Sequence, residues 1–80
     1  MGIKSATVSR IKNICLEKKI AINSLANLAG LTPSTVYSIL NPDRKDIGIV
    51  TIKKLCDGLD MTVVEFFDDA VFKSLEQEIK

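Results

Sequence analysis

Eighty residues with 46% hydrophobic content form one small domain, near the lower size limit for folding without disulfides or metal. There is no His and only two Cys, so no zinc site can be assembled from soft ligands, and no apolar run reaches the ~20 residues of a membrane span. The net charge of +1 conceals a split: residues 1–54 carry +6 and residues 55–80 carry −5. A basic portion facing a polyanion, with an acidic tail turned away from it, is the expectation this split raises.

Val8, Ile11, Ile14 and Cys15 recur at helical spacing and predict a first helix from about Lys4 to Lys18. A second is expected over Ile22 to Ala29, where Leu25, Ala26 and Ala29 share one face. Gly30 follows, suited to a turn that needs positive φ. Thr32 can then cap a third helix, with Pro33 at its first position and Val36 and Ile39 as its apolar stripe. Asn41-Pro42-Asp43 ends that helix near Leu40. Two short helices joined at a glycine, with Ala26 where their axes would meet, have the layout of a helix-turn-helix. Ser34, Tyr37 and Ser38 face outward from the second of the pair, where the DNA major groove would accept them.

A fourth helix is predicted from Gly48 or Ile49 to about Leu59, with Ile49, Ile52, Leu55, Cys56 and Leu59 as its stripe. Gly58 lies inside this pattern at a cost of about 1 kcal/mol relative to Ala, which points to close packing there. Thr62-Val63-Val64-Glu65 reads as a capping box that opens a fifth helix, expected to run from Val63 to about Glu78. On such a helix Val64, Phe67, Val71 and Leu75 would form a second apolar strip beyond the core face, read as a dimer interface. Cys15 and Cys56 each replace an apolar residue in a helical stripe and are expected to be buried thiols. The fold class is all-α: five helices in a single domain spanning residues 1–80, the helix-turn-helix at about 22–41.

In this order and spacing, the segments Leu25 to Gly30, Thr32 to Leu40, Ile52 to Met61 and Thr62 to Phe67 resemble the Cro/CI (XRE-type) helix-turn-helix family of phage repressors and small bacterial regulators. The resemblance covers roughly Val8 to Phe67 and is closest to its short standalone members. It implies a lambda-repressor-like DNA-binding domain and a sequence-specific transcriptional regulator acting by operator occupancy as a homodimer on double-stranded DNA. Ser34, Tyr37 and Ser38 are the base-edge candidates. Asn23, Ser24, Thr32 and Asn41 lie at helix ends, where side chains and free N–H groups hold phosphates, and Arg44 and Lys45 follow just beyond.

An alternative of a different class is a protein-interaction module of the same fold, antitoxin-like, with weak DNA binding. It is favoured by Ile22, where many family members carry a phosphate-binding Gln, and by Pro33, where a base-reading Gln or Arg is common. Catalysis is not expected, because the chain has no His, no nucleophile paired with a base and no Gly-rich phosphate loop. Nor are cofactors, metal ions or a separate small-molecule effector domain expected. With no signal-peptide pattern, the expected location is the cytoplasm.

Overall fold

The structure, a computed structural model, describes residues 1–79. It is all-helical: α1 (Ile3–Lys18), α2 (Ile22–Ala29), α3 (Pro33–Leu40), α4 (Ile49–Gly58) and α5 (Val63–Phe67), then a single 3-10 turn over Ala70–Phe72. The first four helices lie within one residue of their predicted limits. No helix among the described residues is long and apolar enough to cross a membrane.

Three of the helix ends use one device. Lys19, Gly30 and Asp60 adopt left-handed φ of 56°, 68° and 55°. The next residue is in each case apolar, and its N–H donates back to the carbonyl five residues earlier: Ile20 to Cys15, Leu31 to Ala26 and Met61 to Cys56. Ile20, Leu31 and Met61 all pack against the core. At Lys19 and Asp60 a side chain occupies a conformation that costs about 1 kcal/mol, so the apolar anchor and the recovered carbonyl must outweigh that strain.

The core is aliphatic with one ring at its centre. Leu25, Ala26, Leu55, Cys56 and Phe66 are fully buried, and Ile11, Val36 and Leu59 nearly so. Cys15 and Cys56 are free buried thiols, and burial pushes both above their ordinary pKa. Gly58 marks a close approach of α4 to α2. A Cβ there would lie 2.7 Å from the Leu28 carbonyl carbon and 2.8 Å from the Ala29 nitrogen, so α4 meets the backbone of α2 where only hydrogen fits.

The fifth helix departs from its prediction. Its capping box forms as expected, with Glu65 N–H on the Thr62 hydroxyl and Thr62 N–H on the Glu65 carboxylate. That contact with the Thr62 backbone holds the Glu65 carboxyl below the usual carboxylate range. Yet the helix stops at Phe67 instead of continuing to Glu78. Arg10 supplies the reason. Its guanidinium donates to the carbonyls of Glu65 (3.0 Å) and Phe66 (2.7 Å), which a continuing helix would offer to the N–H groups of Asp69 and Ala70. It also pairs with Asp69 at 3.1 Å, while the other Asp69 oxygen accepts the Val71 N–H and caps the 3-10 turn.

The strip read as a dimer interface is therefore absent as one helical face. Val64 is exposed on α5, but Phe67 turns onto Phe66 and Phe72, its ring centroid 5.0 Å from each. Val71 lies half-buried in the 3-10 turn and Leu75 half-buried in the segment beyond it. The tail folds back over its own bundle, and Glu76 N–H reaches the Met1 carbonyl.

Candidate nucleic-acid interface

Thr32 begins α3 as its sequence suggests. Its hydroxyl accepts the Thr35 N–H at 3.2 Å and lies 2.9 Å from the Thr35 hydroxyl. Val36 and Ile39 anchor the helix in the core, which leaves Ser34, Thr35, Tyr37 and Ser38 exposed on the opposite side. The Tyr37 hydroxyl donates to Asn23 Oδ1 at 3.4 Å, a bridge from α3 to the first turn of α2. Asn23 and Ser24 are exposed there, behind an N-cap, Ala21, whose side chain cannot satisfy the helix N–H groups.

At the far end of α3, Asn41 has two structural tasks. Its side-chain oxygen accepts the Asp43 N–H at 2.9 Å, and its carbonyl accepts the Arg44 N–H at 3.1 Å. The same carbonyl receives Lys4 Nζ at 3.1 Å. Lys4 thus joins the candidate surface from 37 positions away in sequence, a partner that no local pattern could disclose.

Arg44 and Lys45 diverge. Arg44 lines a shallow hollow with Thr35, Ser38, Asp46, Gly48 and Thr51, at the start of α4. The α4 N-cap, Gly48, again lacks a capping side chain. Lys45 instead lines a second hollow with Lys4, Ile3, Ile47, Ile49 and Phe67. The structure brings Ser38 and Arg44 together with two further hydroxyls, Thr35 and Thr51, that sequence reading passed over. Both precede or follow apolar positions of ordinary helical stripes, so nothing local marks them.

The basic charge is less concentrated than the count over residues 1–54 implies. Arg10 is taken up by α5 and Asp69, Lys18 donates to the Leu59 carbonyl, and Lys53 pairs with Asp57. Lys12, Arg44 and Lys45 lie around the end of α3, with Lys4 held on the Asn41 carbonyl beside them.

A helix anchored by its apolar stripe, presenting polar side chains between two uncapped helix N-termini and a group of cations, defines a helix-turn-helix DNA-binding domain. Residues 10–70 match the family described as the Cro/C1-type HTH DNA-binding domain, and the chain belongs to that family. Among solved structures, the crystal structure of the prophage Lp1 protein 11 is similar, with a TM-score of 0.81 and 29% identity. The alignment covers 94% of this chain and 100% of that one. No curated protein matches. The protein is a DNA-binding regulator of the Cro/C1 type.

Proposed function

We propose that the protein is a sequence-specific transcriptional regulator that acts by occupying an operator, as a homodimer on a two-fold DNA site. The observation that carries this reading is the exposed face of α3, where Ser34, Tyr37 and Ser38 stand between the uncapped starts of α2 and α4. In this reading the three side chains meet base edges. Asn23, Ser24, Thr32, Asn41, Arg44 and Lys45 hold the phosphates on either side, and Lys4 adds to them. One helix with so few bidentate donors discriminates weakly, so two copies on successive major grooves about 34 Å apart supply the affinity.

The experiment is a binding titration on the DNA flanking the protein's own gene, repeated with Ser34→Ala and Ser38→Ala. Each substitution is expected to change preference at one or two base pairs by about 1–3 kcal/mol while leaving the helical circular dichroism unchanged. Variants that bind cognate and random DNA as the parent does would remove α3 as the reader. The protein-interaction reading is favoured by Ile22, which packs against the core where a phosphate-binding side chain would otherwise start α2. A parent protein that fails to retard any of this DNA at low salt would decide for it.

A further inference from the structure

An apolar groove runs along the face of α1 opposite Arg10. Its lining is Cys15, Leu16, Ile20, Ile22 and Leu40, edged by Lys12 and Lys19. Leu16 is 76% exposed, which is high for a leucine beside four other apolar side chains. The chain carries a segment of complementary character in Leu75-Glu76-Gln77-Glu78-Ile79. Wound into one helical turn, Leu75 and Ile79 share a face, and Glu76 and Glu78 fall roughly 80° to either side of it. Two apolar residues then meet the groove floor, and two carboxylates meet its two lysines.

Beyond the half-buried Leu75, this tail is loosely held in its own chain. One backbone bond joins Glu76 to Met1, and the carboxylate of Glu76 makes an exposed ion pair with the Met1 ammonium, a kind of contact worth little. Ile79 is 86% exposed. The tail cannot serve its own groove from where it lies, because Lys12 and Leu16 project roughly 200–240° around the α1 axis from Arg10, the residue that fixes the preceding turn. Leu16 also lies about 20 Å along α1 from Met1, farther than the three residues from Glu76 to Ile79 can reach.

We infer that the groove of one copy receives the acidic tail of a second copy, Leu75 and Ile79 seated on Leu16, Ile20, Ile22 and Leu40 and the glutamates on Lys12 and Lys19. The contact is head-to-tail and small, hence transient. It forms without DNA, so it stands or falls separately from the operator reading.

The test is sedimentation equilibrium of the free protein from about 10 µM to about 1 mM, a range suited to a weak contact. The average mass of the parent should rise with concentration. Leu16→Glu and Ile79→Glu, both at exposed positions, should each lower the association constant at least tenfold with unchanged circular dichroism. An equimolar mixture of the two variants should associate again, since one retains its tail and the other its groove. A charge-swapped pair, Lys12→Glu/Lys19→Glu mixed with Glu76→Lys/Glu78→Lys, should likewise associate only when mixed. A parent that stays monomeric throughout, variants that associate as the parent does, or mixtures that remain monomeric would each overturn the inference.

Discussion

The α2–α3 pair and the chain after Thr62 differ in how their shape is determined. In the first, the turn and the start of α3 are set by residues within a few positions of them: Gly30 at φ 68°, Thr32 on the Thr35 N–H, Pro33 at the first helical position. In the second, the start is equally local, through Thr62 and Glu65, but the end depends on Arg10, whose bond to the Phe66 carbonyl spans 56 residues. A helix start is written beside itself in sequence. A helix end imposed by a distant guanidinium is not.

The sharpest way to break the first region is to remove a close contact. Gly58→Ala gains about 1 kcal/mol of helix propensity. Its Cβ would nevertheless sit under 3 Å from α2 backbone, and backbone cannot step aside as a flexible side chain does. Overpacking should dominate, with a net loss of about 1–2 kcal/mol in thermal or urea unfolding. For a domain with on the order of 5 kcal/mol in total, that is a large share of its stability. A variant as stable as the parent would mean that α2 and α4 do not meet at Gly58.

The second region is probed by Arg10→Met, which keeps much of the apolar stem and deletes the guanidinium. Two carbonyls and the Asp69 carboxylate lose their donor, for an expected cost of about 2 kcal/mol. Amide exchange should quicken selectively in residues 63–72 while α2 and α3 keep their relative protection. Uniform acceleration through the chain would show that the tail is not governed by Arg10.

A smaller effect separates the start of α5 from its end. Thr62→Ala should cost about 1 kcal/mol at neutral pH. Because the Thr62 N–H holds the folded Glu65 carboxyl below its ordinary range, the capping box contributes above about pH 4.3. That contribution is lost as pH falls through the lower folded value. The stability gap between parent and Glu65→Ala should thus narrow in acid, and a gap independent of pH would remove Glu65 from the cap.

The same contrast explains what was legible in the sequence. Helix periodicity, the glycine turn, Gly58 as a point of contact, both cysteines as buried thiols and both threonine caps were readable from neighbouring residues. The length of α5, and with it the Val64, Phe67, Val71 and Leu75 strip, was not, because periodicity cannot register a side chain from another helix seizing its carbonyls. Lys4 beside Asn41 was hidden for the same reason. The charge split overstated the basic face, since charge counts do not reveal that Arg10, Lys18 and Lys53 are spent on protein partners.

The central claim, that α3 and the loop after it face DNA, is tested most directly by the salt dependence of binding for the parent and for Arg44→Ala/Lys45→Ala. If each copy neutralises about four to six phosphates, the parent's log K should fall linearly with log salt, with a slope near −0.9 per phosphate contact. The double variant should bind every sequence more weakly and with a slope shallower by about 2 per copy. A parent whose affinity ignores salt, or a double variant with the parent's slope, would contradict the account.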